Sequence, residues 1–366
     1  MKKQPETISA QDIKDAVRPP ERMVALQAEV ESLRAAFRAY KREHGQLEQL
    51  MAEVLDEVPT IDPQPLVYVK PKVRRVEQDV AVVVHVTDAH HGAVQVTSEV
   101  EGFGEFNPAL SRARQYGLIA DVLAWTEMHR LGYSIPECRL LVTGDLISGD
   151  IHDELRVTNA FPAPCQAVEA GEILAKQAAM LAPHFERVVL DVLTDDNHGR
   201  LTRKPQAKEC GFNNWMYVVA SIARVLLSAH KNVLLNVWPM PQKVVNVCGR
   251  QYLICHGHDV MGWAGFPYYG IERKAAREAL KRMNGPDVTR FDRIIMGHWH
   301  APLEHPHYWI GGSVSGTDAY DHKSGRQAEP QQVSWLVHPK WGEFDRTCWR
   351  LRKHDGSAVD GITGKE

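Results

Sequence analysis

Ala81-Val82-Val83-Val84-His85-Val86 runs directly into Thr87-Asp88-Ala89-His90-His91-Gly92. The first half is apolar and β-branched, the composition of a buried strand. The second half leaves that strand at its carboxyl end, the edge where ligands of open α/β sheets collect. Asp88 and His90 are two residues apart, so an extended segment turns both to one side, within reach of one divalent ion. Such a pair is common by chance, and its weight comes from four further segments that follow predicted strands. They are Gly144-Asp145, Asn197-His198, His256-Gly257-His258 and Gly297-His298-Trp299-His300. Together the five offer carboxylate, amide and imidazole donors for two divalent metals that share one bridging carboxylate. A two-metal centre of this kind is suited to displacement at phosphorus.

The surrounding pattern predicts the scaffold. Further apolar runs mark strands at 139–143 and 187–193, with helical stretches at about 108–130, 165–182 and 213–230. Short strands then crowd together at 233–238, 243–248, 251–256, 292–296, 308–315, 333–338 and 346–352, with one helix at 271–284. Alternating βα units followed by strand-rich sequence predict an α/β fold, a layered sandwich of mixed sheets flanked by helices over residues 78–355.

Ahead of this domain, residues 1–18 are polar and Pro19-Pro20 open a helical pattern that runs to residue 57. Met23, Leu26, Val30, Leu33, Phe37, Tyr40, His44, Leu47, Met51 and Val54 keep 3-4 spacing, a heptad stripe over about five heptads. The stripe reads either as a helix packed on its own domain or as a coiled coil that makes a dimer. Residues 58–77, with Pro59, Pro63, Pro65 and Pro71, read as an extended linker, and 356–366 as a flexible tail.

Composition is that of an ordinary globular chain: 366 residues, 44% hydrophobic, 24% charged and a net charge of −3, which does not advertise a nucleic-acid binder but leaves room for a local basic patch. No run approaches a membrane span, and the first residues lack the apolar core of a signal peptide. The six cysteines include no CxxC pair, so a cytoplasmic protein with reduced thiols is expected.

In the order DxH, GD, NH, His-Gly and GHxH, the blocks resemble those of the calcineurin-like metallophosphoesterase family over roughly residues 78–320. The resemblance implies a four-layer αββα sandwich. It implies that Asp88, His90 and His300 hold a first metal, that Asn197, His256 and His298 complete a second, and that Asp145 bridges both. It makes His198 the histidine that acts on substrate rather than metal. An activated water would attack phosphorus in line, with His198 neutralising charge or protonating the leaving oxygen. Histidine-rich ligation favours manganese first, with iron, zinc or nickel as alternatives.

Two positions depart from the family pattern. Ser148 stands where a second aspartate of the GDxxD block is usual, which leaves Asp150, Asp153 or His91 to orient His198. Gly199 stands where an acidic residue usually follows the histidine of the NH block. Both departures point away from protein phosphatases and toward the divergent phosphodiesterase and nuclease branches, phage-encoded members among them.

A phosphodiester substrate in a nucleotide, DNA or RNA is therefore expected. A phosphomonoesterase and a non-catalytic metal-stabilised scaffold are the competing readings. Arg200, Arg203, Lys204 and Lys208 form either a phosphate clamp beside the metals or a solvated loop. His152 and His258 are candidate substrate contacts that serve equally as supports for the ligands. Residues 262–270, rich in glycine and aromatics, read as a lid or a packed surface loop.

Overall fold

The computed structural model describes residues 79–262, 267–285 and 290–355, with Ala28, Glu31 and Ser32 besides. The heptad segment apart from those three residues, the proline-rich linker and the C-terminal tail lie outside the described residues. So do residues 263–266 of the glycine- and aromatic-rich stretch.

The elements in chain order are β1 (Asp79–Val86), α1 (Pro108–His129), β2 (Ser134–Val142), α2 (Leu155–Thr158), α3 (Ala163–Leu181), β3 (Arg187–Leu193), α4 (Trp215–Leu226) and β4 (Val233–Trp238). They continue with β5 (Gln242–Val247), β6 (Arg250–Cys255), α5 (Tyr268–Met283), β7 (Arg293–Met296), β8 (Leu303–Glu304), β9 (Tyr308–Ile310), α6 (Ala319–Lys323), β10 (Gln331–His338) and β11 (Gly342–Arg350). Local chemistry sets several boundaries. Asn107 accepts from Leu110 N at 3.0 Å and Pro108 occupies the first turn of α1, a favoured helix start. Asn214 caps α4 in the same way through Met216 N.

These elements form two mixed sheets. In the first, β1 to β4 run parallel, and β10 and β11 extend it antiparallel beside β1 in the order β11-β10-β1-β2-β3-β4. In the second, ordered β5-β6-β7-β9-β8, the central strands β6, β7 and β9 are parallel. One apolar cluster joins Ala81, Val83, Leu141 and Trp335 of the first sheet to Val245, Tyr252, Ile254, Ile295 and Trp309 of the second. Each of the larger aliphatic side chains, fully buried, contributes about 1.5–3 kcal/mol. Trp335 is wholly enclosed and donates its Nε1–H to Tyr252 Oη at 3.2 Å.

Helices cover the outer sides. Ile271 of α5 packs with Leu253, Cys255, Ile294, Met296 and Tyr308 of the second sheet. Helices α3 and α4 pack on each other and against β3 and β4. Among the described residues no helix is long and apolar enough to cross a membrane, and all six cysteines are free.

The expected elements differ in detail from those observed. The strand read at 308–315 ends at Ile310, because the next residues leave the sheet: Ser313 N donates to His300 O at 3.2 Å and Val314 N to Asp88 O at 3.0 Å. Tyr268-Tyr269-Gly270, read as part of a loop, form the first turn of α5.

Candidate metal centre

Parallel β1, β2 and β3 deliver Asp88, Asp145 and Asn197 to one sheet edge. Parallel β6 and β7 deliver His256, His298 and His300 from the other sheet. The loops are laced together by main chain. Asp88 N donates to Gly144 O at 3.1 Å, His90 N to Asp145 O at 3.0 Å and Gly297 N to His256 O at 2.9 Å.

Local backbone is unusual here. Asp88, His90, Asp145, His298 and His300 all have positive φ, between 43° and 71°. Five of the nine non-glycine residues in that region, among the described residues, are thus candidate ligands. Left-handed backbone costs an L-residue about 1–2 kcal/mol, and its concentration at one spot marks a constrained site. The expectation that an extended segment turns Asp88 and His90 to one side is corrected, and His298 and His300 share the same backbone. Turned backbone, rather than strand pleat, aims them.

The first cluster gathers Asp88, His90 and His300, whose donor atoms lie within 4.8 Å of one another. His90 Nε2 and His300 Nε2 are 3.0 Å apart. His300 Nδ1 lies 2.7 Å from Asp321 Oδ2. The carboxylate only accepts, so Nδ1 carries a proton and Nε2 is the nitrogen that faces the cluster. Both oxygens of Asp88 accept from His298 N, at 3.0 and 2.9 Å, and Thr87 Oγ1 donates to Oδ2 at 2.8 Å. Gly297 makes this approach feasible, since a Cβ there would lie 2.3 Å from Asp88 Oδ2.

Asp145 belongs to two further clusters, one with His90 and His198 and one with His256 and His298. His256 Nδ1 faces the Thr143 carbonyl at 3.0 Å, which fixes the proton on Nδ1. Its Nε2 faces Asp145 Oδ2 and Asn197 Oδ1, each 2.9 Å away. A second proton on the imidazole, or a metal ion in its place, satisfies both oxygens. The surrounding acids favour positive charge at this position. Burial opposes a charge on His256, yet Asp145, Asp88 and Asp196 push its pKa up to about 10. Burial likewise opposes a charge on His300, and Asp321 outweighs it, to about 9. Burial, with His198 and His300 beside it, holds His90 well below the usual range. Burial raises Asp145, but His256 and His198 outweigh it and keep its carboxyl well below the usual range.

His198 is half-buried at the edge of the cluster, its ring 4.6 Å edge-on from that of His90. None of the three expected partners orients it. Its Nδ1 lies 2.6 Å from the backbone carbonyl of Ser148. That bond sets the same tautomer, with Nε2 free. His91 instead faces Ser111 and Glu169, away from the centre, and Asp153 pairs with Arg203.

The tentative substrate residues are dispersed. His152 is exposed, with its ring 6.3 Å from that of His198. His258 stacks loosely on His256 at 5.6 Å, and burial together with His256 lowers its pKa to about 4. Arg200 donates to Thr202 O and Arg203 O and lines a small cavity with Asp195, Asp196, Cys210 and His258. Arg203 and Lys204 are exposed.

Sequence reasoning missed Asp321, the partner of His300, and the bracing by Asp196. Asp196 accepts from Asp145 N and Gly199 N, both at 2.7 Å, and from Asn214 Nδ2 at 3.1 Å. Burial and the nearby Asp145 raise its pKa to about 6. Its place beside Asn197 was a usable signal. Asp321, 21 residues beyond His300, carried none.

No protein-family model matches the chain, and no curated protein matches it in sequence. Among solved structures, the sulfate thiohydrolase SoxB of Thermus thermophilus, in complex with glycerol, aligns at a TM-score of 0.34 and 9% identity. The alignment covers 77% of this chain and 59% of that one. Likeness this slight identifies neither a family nor an activity.

Proposed function

We propose that this centre binds two divalent metal ions and hydrolyses phosphodiesters, in a nucleotide or a nucleic acid. The observation that carries the reading is the convergence of three metal-ligating side chains, with Asp145 Oδ2 and Asn197 Oδ1 each 2.9 Å from His256 Nε2. In a metal centre this is the expected arrangement, with each ligand histidine fixed by a partner on its other nitrogen. The residues fit such ions in a second respect. Donor atoms about 3.0 Å apart span adjacent positions of an octahedral ion with bonds of ~2.1 Å, which is the separation of His90 Nε2 and His300 Nε2.

Asp88, His90 and His300 would hold one ion, Asn197, His256 and His298 the other, and Asp145 would serve both. Bound there, the ions would supply Lewis acidity at phosphorus and an acidified water. Manganese is the first choice, with iron, zinc and nickel next. His198 supplies what the protein itself adds. Its Nδ1–H is held by Ser148 O, so Nε2 is the atom that can take up a second proton, as from water, and pass it to a leaving oxygen. The packed sheets with outer helices support the αββα sandwich implied by the family resemblance. A dimer through residues 19–57 and a cytoplasmic setting complete the reading.

The test is hydrolysis of an aryl phosphodiester and its monoester, side by side, with added Mn²⁺ and with chelator. Diester preference that disappears with chelator is the expected result. Monoester preference would replace the reading with a phosphatase. Metal binding at two ions per chain without turnover of either ester would favour the scaffold.

A further inference from the structure

Helix α5 joins parallel β6 to β7, so it begins at the sheet edge that carries His256 and runs back to the opposite edge. Its first half is fixed to that edge. Ile271 packs with Cys255 and Val260, and Lys274 Nζ binds Asp259 at 2.6 Å. Of its residues Ile271 is buried and Ala275 packs partly on the same cluster, while Tyr269, Arg273, Arg277 and Lys281 are exposed.

One stripe stands out. Tyr269, Arg273, Arg277 and Lys281 recur every fourth residue, which stacks them on one face, and all four are exposed. Tyr269 to Lys281 spans about 18 Å along the axis. Arg273 and Arg277 make no ion pair among the described residues, and Lys281 touches only Glu278, at 3.5 Å with its side chain 68% exposed. Cations one turn apart repel, and this row lacks the interleaved acids that would relieve it. Cations off the stripe differ: Lys274 binds Asp259, and Arg282 binds Glu278 at 2.7 Å. In the 200–208 loop, the expected phosphate clamp, Arg203 is committed to Asp153 at 2.6 Å and Arg200 to loop carbonyls, while Lys204 and Lys208 are exposed and make no ion pair among the described residues.

We infer that this face of α5 is a track for the phosphodiester backbone of a nucleic acid, leading toward the candidate metal centre. The inference rests on the phosphodiesterase reading and names its substrate class. A regularly spaced row of cations fits a polyanion. Tyr269, 72% exposed, stands at the end of the row nearest His256, where an aromatic face can stack a base.

The test compares the wild-type chain with a variant carrying Arg273→Gln, Arg277→Gln and Lys281→Gln. Glutamine keeps helix propensity, and circular dichroism checks the fold. Binding of a labelled DNA oligonucleotide, single-stranded and duplex, is measured by anisotropy across a salt series with chelator present. Aryl phosphodiester turnover with Mn²⁺ is read on the same samples. The variant is expected to lose about tenfold or more in affinity, its salt slope to fall by about 2 on single strands and about 3 on duplex, and its aryl diester turnover to stay unchanged. Equal binding by both proteins, no binding by the wild type, or preference of the stripe for anionic vesicles over DNA would each overturn the track. The wild-type aryl diester rate judges the phosphodiesterase reading separately.

Discussion

His90 and His300 meet nitrogen to nitrogen, Nε2 to Nε2, at 3.0 Å. A proton on one of the two nitrogens makes this contact a hydrogen bond, and a metal ion in its place would take both lone pairs. Asp321 determines which atom His300 offers, since it takes the Nδ1 proton at 2.7 Å while Arg326 holds the same carboxylate from the other oxygen. Any metal affinity of the first cluster would therefore depend on Asp321 through His300.

Asp321→Asn keeps an oxygen near His300 but removes the charge that fixes its proton. Affinity for the added divalent ion is expected to fall about 10- to 100-fold, the usual cost of losing such a partner. Competition against a chromophoric chelator measures it. An unchanged affinity would mean that His300 does not bind metal through Nε2.

His198 is expected to act on substrate and not on metal. His198→Ala should lower aryl diester turnover about 10²- to 10⁴-fold while metal content per chain stays at the wild-type value. Loss of metal in the variant would move His198 into the ligand set. Normal turnover would remove it from the reaction.

Gly149 seats that histidine. Its φ is +67°, and a Cβ there would lie 1.9 Å from the His198 carbonyl oxygen. Backbone cannot yield as a flexible side chain can. Gly149→Ala should cost about 1–3 kcal/mol of stability and displace the Ser148 carbonyl from His198 Nδ1. Denaturant midpoints and turnover should fall together; a variant with wild-type values in both would show that the loop adjusts freely.

The scaffold was largely legible because its strands are dense in β-branched residues. The runs read at 187–193 and 233–238 are strands with those bounds, and the five blocks do gather at one edge. What was not legible is what sequence does not encode locally. The Ser148 carbonyl that orients His198 is a backbone atom and leaves no side-chain signature. Left-handed backbone at Asp88 and His90 runs against the ordinary preference of those residues, so alternation was the natural but incorrect inference. Adjacent His90 and His91 look equivalent in sequence. Only folding, which puts Glu169 2.8 Å from His91 Nε2, separates them. The stripe on α5 was not singled out in the sequence; its significance came from seeing which cations already had partners.

The last expectation concerns acid stability and His85, which is wholly buried with Nε2 2.8 Å from Thr143 Oγ1. Burial, aided by repulsion from Arg346 and His256, lowers its pKa from 6.5 to about 3. The folded chain thus keeps His85 neutral where the unfolded chain takes up a proton. Its contribution is fully present above the unfolded value near 6.5 and is lost as pH falls from there toward about 3. The loss approaches about 1.4 kcal/mol per pH unit, and about 5 kcal/mol in all at most. Urea denaturation at about pH 7.5 and about pH 5 should therefore destabilise the wild type by about 2 kcal/mol more than His85→Gln, which does not titrate and retains a partner for Thr143. If both proteins lose stability equally over that range, the acid sensitivity of the fold arises elsewhere, in the carboxylates and imidazoles of the metal centre.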